Sequence, residues 1–207
     1  MNTNQNKFGW GFWLRWVLAS ILGATVGVTI AGFAGSAMGE GFASMGTVGV
    51  IFGALLGTMQ WLVMRKYVTL TGWWVLATAF GYFLAGIATE QWVFRQIPYW
   101  ELGIQPAVAF LGVGSIAGGT MQWLILREHV ARAGWWVVAS IVGLVVGIGI
   151  TVPVAIKFGQ IGGIEFLIVF GILFGVSVGA LPGAALVWLL RQHESGSSAR
   201  TAERGAQ

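Results

Sequence analysis

Six apolar stretches of nearly membrane-spanning length follow one another along this chain, and no Asp, Lys or Arg interrupts the middle of any of them. They cover residues 13–33, 47–64, 72–88, 106–126, 134–156 and 166–190. A bilayer core about 30 Å thick takes roughly 20 helical residues to cross. Lipid cannot hydrogen-bond an exposed backbone, so only helices or closed barrels span it. Barrel strands would alternate apolar and polar residues over about ten positions. These runs are continuous and longer, which selects helices. Charged residues make up 9% of the chain, against roughly 25% in a soluble domain, too few to cover a water-facing surface. The predicted class is an all-α membrane protein with six transmembrane helices.

Details of the runs fit that class. Pro106 suits the first turn of a helix, where its missing N–H costs nothing. Pro182 lies inside the sixth run and is predicted to kink it. The first run follows Lys7 and includes Arg15 near its start, as a signal peptide might be flanked, but it is too long for the apolar region of one and is expected to be retained. With no cysteine there is no disulfide, thiolate nucleophile or cysteine metal site. The net charge of +4 does not point to nucleic acid, because the cations are asymmetric about the membrane.

Counting cations on alternate connections gives that asymmetry. Lys7, Arg15, Arg65, Lys66, Arg127, Arg132, Arg191, Arg200 and Arg204 fall on the side of the N-terminus; Arg95 and Lys157 fall opposite. The positive-inside rule then puts both termini in the cytoplasm and the chain in the cytoplasmic membrane. Ten of the twelve tryptophans also fall near the cytoplasmic ends, Trp16, Trp74 and Trp136 among them, with only Trp92 and Trp100 outside. Indoles favour the headgroup level, so this reads as an aromatic belt biased inward.

An internal repeat runs through the junctions. Residues 57–81 and 119–143 match at 14 of 25 positions without a gap, where chance would give about one or two. "GTMQWLVMR" at 57–65 becomes "GTMQWLILR" at 119–127. "WVLAS" at 16–20 matches "WVLAT" at 74–78 and "WVVAS" at 136–140. Seven residues after each tryptophan stands Gly23, Gly81 or Gly143, and four further on Gly27, Ala85 or Gly147. Small residues at that spacing let a neighbouring backbone approach closely. Gly49, Gly53 and Gly57 form one stripe on the even runs, and Gly175, Gly179 and Gly183 another. The third copy ends "ALVWLLRQ": Val187 precedes Trp188 where glutamine precedes Trp61 and Trp123. The unit is a helix hairpin of about sixty residues, repeated over approximately 13–66, 72–128 and 134–191. Each unit crosses twice, so all three are parallel. A six-helix bundle with rough pseudo-three-fold symmetry and glycine-stripe packing is expected, between a flexible N-terminus at 1–12 and a disordered tail at 192–207.

The phrase G-x-x-Q-W-L-x-x-R, a short basic turn, then G-W-W-V-x-A-[S/T], resembles a family of uncharacterised bacterial multi-pass membrane proteins. The resemblance covers the hairpin junctions and, more loosely, the whole chain. It implies fold and location, and carries no activity, cofactor or catalytic residue.

Two groups of polar residues invite a functional reading. Gln60 and Gln122 sit beside the glycine stripe and are expected to face a packed helix. An interhelical hydrogen bond is worth about 1 kcal/mol there, with Thr78 and Ser140 on the next span as candidate partners. The sharper reading is a polar ligand site on the pseudo-axis. Arg65, with Lys66 and Trp61, and Arg127, with Arg132 and Trp123, can reach the phosphate level as anchors or as anionic-lipid pockets. Glu90 ends the third span close to Arg95 and reads as solvated or Arg-paired rather than as a proton relay.

Enzyme signatures fail. The Gly-x-Ser-Gly of rhomboid-type proteases is absent, and His129 and His193 both lie in connections, so no intramembrane base serves a serine. No metal-ligand pattern or phosphate loop occurs. The expected function is non-enzymatic and cofactor-free: a structural, assembly or lipid-interacting protein. Its partners would be membrane lipids, anionic ones included, and a membrane protein or a second copy of the chain. The alternative is a small transporter or channel for an uncharged or weakly polar solute, with an axial path past Thr29, Thr58, Ser115, Thr120 and Ser177.

Overall fold

The computed structural model describes residues 8–38, 42–67, 72–97, 105–158 and 163–205. Lys7, Glu40, Tyr99 and Trp100 lie outside them. Six helices follow in order: α1 Trp10–Met38, α2 Phe42–Met64, α3 Trp73–Thr89, α4 Gln105–Leu126, α5 Gly134–Phe158 and α6 Gly163–Gly205. No strand occurs among the described residues. Every helix but α3 is long and apolar enough to cross a membrane. α3 has 17 residues and continues directly into a π-helical turn, Glu90–Phe94. The Glu90 N–H, shared between the Gly86 and Ile87 carbonyls, marks where the bonding pattern slips.

Helix ends follow local chemistry. Pro106 stands in the first turn of α4. Pro182 and Pro153 both lie inside helices that run on past them, which membrane helices tolerate because neighbours re-satisfy the freed backbone groups. α6 continues to Gly205, beyond residue 192 where the sequence suggests a disordered tail. No proline follows Pro182, so no residue of the last stretch lacks the N–H a helix needs. Arg132 ends the α4–α5 turn in the left-handed region, φ 64°, and its carbonyl accepts the Trp135 N–H at the start of α5 (3.1 Å).

Each helix packs chiefly on its two neighbours in sequence, and α6 closes against α1, so the six form a ring. The apolar residues outside the ring are as numerous as those within. Leu14, Leu18, Leu22, Leu76, Phe80 and Val145 are all exposed, the pattern of helices that are apolar all round and meet lipid. Inside are two clusters. One gathers Phe12, Trp16, Met64, Trp74, Leu126, Trp136 and Leu186, at the end that carries the basic turns. The other gathers Phe52, Leu56, Tyr82, Leu111, Leu144 and Phe174 in the opposite half.

Candidate functional site

Three tryptophans meet at the centre of the ring. Trp16 on α1, Trp74 on α3 and Trp136 on α5 are buried, and each pair is edge-to-face with centroids 5.5–6.0 Å apart. This corrects the reading of all ten inner tryptophans as an interfacial belt. Trp10, Trp73, Trp135 and Trp188 are exposed and do sit outside. In each "WW" pair the first ring faces outward and the second inward, because adjacent helical positions are about 100° apart. Four residues on from each inner tryptophan, Ser20, Thr78 and Ser140 share its face.

The two glutamines tie these rings together. Trp74 Nε1–H donates to Gln60 Oε1 (3.2 Å), and Gln60 Nε2–H donates to Ser20 Oγ (3.2 Å). Trp136 Nε1–H donates to Gln122 Oε1 (3.3 Å), and Gln122 Nε2–H donates to Thr78 Oγ1 (2.9 Å). Thr78 passes its own proton to the Trp74 carbonyl (2.9 Å). Each amide therefore links the odd helices on either side of it, and the chain of bonds runs from α5 through α4, α3 and α2 to α1. The expected partners need correction. Thr78 serves Gln122, not Gln60, and the Ser140 hydroxyl bonds back to the Trp136 carbonyl (2.9 Å). The indoles were the missed partners; their four-residue spacing to Ser or Thr was the signal that could have found them.

The bonds stop at the sixth helix. Trp16 Nε1 is buried with no hydrogen-bond partner among the described residues. Gln60 and Gln122 line a cavity of about 40 Å³ together with Ser115, Ser140 and Pro182. Pro182 and Val178, and not Val187, are the α6 residues that line this cavity with the glutamines. Val187 is half-buried against the tryptophan cluster instead. The packing of α6 agrees. A Cβ at Gly179 would meet Ser20 Cβ at 3.0 Å and Val17 Cα at 3.1 Å. One at Gly57 would meet Thr78 Cβ at 2.9 Å and Val75 Cα at 3.1 Å. Gly179 thus stands to α1 as Gly57 stands to α3, and three residues on from each come Pro182 and Gln60.

The remaining predicted residues fall as follows. Gly23, Gly27, Gly49, Gly53, Gly57, Gly81, Gly143, Gly147, Gly175, Gly179 and Gly183 each have an atom of a neighbouring helix within 3.1 Å of where a Cβ would be. Gly114, on the middle even run, likewise meets the Tyr82 ring, and Gly86 against the Met45 carbonyl belongs with them and was missed. The Arg65 guanidinium lies over the Trp61 ring, 5.1 Å from its centroid, and Arg127 lies over Trp123 at 5.4 Å. Lys66 and Arg132 are exposed. Glu90 is half-buried in the π turn, and no ion pair joins it to Arg95 among the described residues. Among the described residues the buried polar side chains are Ser20, Gln60, Thr78, Thr89, Gln122, Thr151 and Ser177. All are uncharged groups that do not titrate near neutral pH. Comparison with protein-family models, with curated proteins and with solved structures returned no match.

Proposed function

We propose that this chain is a non-enzymatic protein of the cytoplasmic membrane with both termini inside, serving as a structural or assembly element that acts through its lipid and protein contacts. In this reading the chain is three parallel helix hairpins about a rough three-fold axis. The like contacts of Gly57 on α3 and Gly179 on α1 support it. So does the recurrence of an indole–glutamine–hydroxyl link at two of three corners. The junction motif would then be the mark of the bacterial multi-pass family it resembles.

One observation carries the functional part: aromatic side chains close the axis at two levels, with an apolar cavity of about 240 Å³ beyond them, lined by Phe52, Phe110 and Phe170. The indole triad occupies one level. Phe52, Tyr82, Phe110 and Phe174 make ring contacts at another. Only about 40 Å³ lies beside the glutamines, room for a few waters at most. An indole layer tied to the glutamines by two hydrogen bonds, beside a packed layer of phenyl rings, resists opening, which suits a scaffold. The polar lining of that cavity favours a second reading, a path for a small uncharged solute that must pass the three tryptophans.

Purified protein in liposomes separates the two. Glycerol and urea flux, followed by light scattering, is expected to equal that of empty vesicles, while a gentle-detergent pulldown retains lipid or a protein partner. Flux above background that disappears in Gln60→Leu and Gln122→Leu would establish the transporter instead. A protein that is monomeric and bound to nothing would remove the scaffold.

A further inference from the structure

A basic corner where α1 meets the end of α2 has the makings of a ligand site. Arg15 Nη1–H donates to the Tyr67 hydroxyl (2.8 Å). That bond brings Arg15 to a segment carrying Lys66 and Arg65 one and two residues earlier. Arg15, Arg65 and Lys66 are exposed, and no ion pair with a carboxylate involves any of them among the described residues. Tyr67 is fixed by ring contacts with Phe8 (5.7 Å) and Phe12 (5.0 Å). Arg65 is held over the Trp61 ring, where a guanidinium keeps its donors free at the edge. The phenol oxygen accepts from Arg15, so its own proton remains available to an acceptor. The corner therefore offers three positive charges and several N–H and O–H donors with no competing anion among the described residues. The matching turn after α4 differs, because Glu128 follows Arg127 directly and offsets its charge.

The surface below the corner says what kind of anion fits. Leu18 and Leu22 lie three and seven residues after Arg15, one and two turns along the same face of α1, and both are exposed, 49% and 58%. Val26 and Ile30 continue the row. A free phosphate would use the cations and ignore this track, whereas a phospholipid would use both.

We propose that Arg15, Arg65, Lys66 and Tyr67 bind the phosphate of an anionic phospholipid whose acyl chain lies along the exposed leucines of α1. The proposal deepens the lipid-contact part of the scaffold reading and rests on it. Arg15 and Lys66 supply charge, Tyr67 donates to a phosphate oxygen, and Trp61 orients Arg65.

The full chain in mixed micelles, with phosphatidylglycerol or phosphatidylcholine added, tests this by native mass spectrometry and thermal midpoint. Phosphatidylglycerol is expected to be retained and to raise the midpoint; phosphatidylcholine is not. Each cation at a membrane surface contributes about fivefold in affinity, so Arg15→Gln with Lys66→Gln should weaken retention more than tenfold, roughly. Tyr67→Phe keeps the ring contacts and should weaken it severalfold with the unliganded midpoint unchanged. Lys157→Gln, at the far end of α5, removes a cation elsewhere and should leave retention intact. Equal retention of both lipids, or full retention by the double variant and by Tyr67→Phe, would overturn the site. Displacement of the lipid by excess inorganic phosphate would overturn the lipid assignment and leave an anion site. Solute flux is a separate measurement, so the scaffold reading and this site can fail independently.

Discussion

At the scale of single residues, two tryptophans in nearly the same surroundings differ by one hydrogen bond. Trp16 and Trp74 are both fully buried and touch each other edge-to-face. The Trp74 N–H reaches Gln60; the Trp16 N–H reaches no acceptor among the described residues. Substitution by phenylalanine removes similar volume at both places, so the difference between the two variants isolates the bond. Trp74→Phe is expected to lower the thermal midpoint in detergent further than Trp16→Phe, by the equivalent of about 1 kcal/mol, the size of interhelical hydrogen bonds in membranes. Equal losses would mean that the Trp74–Gln60 contact contributes nothing. The sequence pointed to the glutamines because polar side chains stand out in an apolar run. It hid the indoles, because a tryptophan near a helix end is read by default as interfacial. Their seven-residue spacing to Gly23, Gly81 and Gly143 already placed them on the packed face. Pro182 was hidden for another reason. The eye aligns Trp188 with Trp61 and Trp123, whereas the backbone contact of Gly179 with Ser20 sets the register of α6.

Helix pairs depend on what a missing Cβ permits. A methyl at Gly49 would overlap the Tyr82 carbonyl, and one at Gly175 would overlap the Ile21 backbone. Neither obstacle is a side chain that can turn away, so α2 would have to move off α3, and α6 off α1. Gly149 and Gly112 have nothing within 4 Å of the same position, and there alanine relieves the helix of its least favourable residue. Gly49→Ala and Gly175→Ala should each cost about 1–3 kcal/mol through overpacking. Gly149→Ala and Gly112→Ala should be neutral or gain up to about 1 kcal/mol. Thermal unfolding of the four variants in one detergent checks the ordering; a loss at Gly149 as large as at Gly49 would refute it. Stripes with a four-residue step were legible because they recur in several helices. Gly86 was not, since its need for space is set by the Met45 carbonyl on another helix, which no single-helix pattern reports.

For the whole molecule, everything turns on whether α3 crosses the bilayer. Lipid as solvent made the helical class legible from composition, and the long runs gave five of the helices their span. The neighbour order, with α6 closing on α1, was not written in any one hairpin, because it depends on which glycine faces meet. α3 is the element where helix length alone and the full helical path give different counts. Five crossings would leave the termini on opposite faces; six would leave them together. Its 17 α-helical residues fall short of a comfortable span, but the helical path continues to Phe94. From Trp73 that is roughly 30 Å at about 1.5 Å per residue, a bilayer core. α3 also lies between α2 and α4 in the ring, both long enough to cross. The absence of cysteine makes the test direct, since any introduced thiol is unique. Ser36, Lys66, Gln96 and Ala131 are all exposed. In intact cells a membrane-impermeant maleimide is expected to label Ser36→Cys and Gln96→Cys, and to reach Lys66→Cys and Ala131→Cys only after permeabilisation. If α3 turned back instead of crossing, Gln96→Cys would be protected along with Lys66→Cys, and Ala131→Cys would label from outside. That inversion would undo the parallel hairpins and the placement of both termini together.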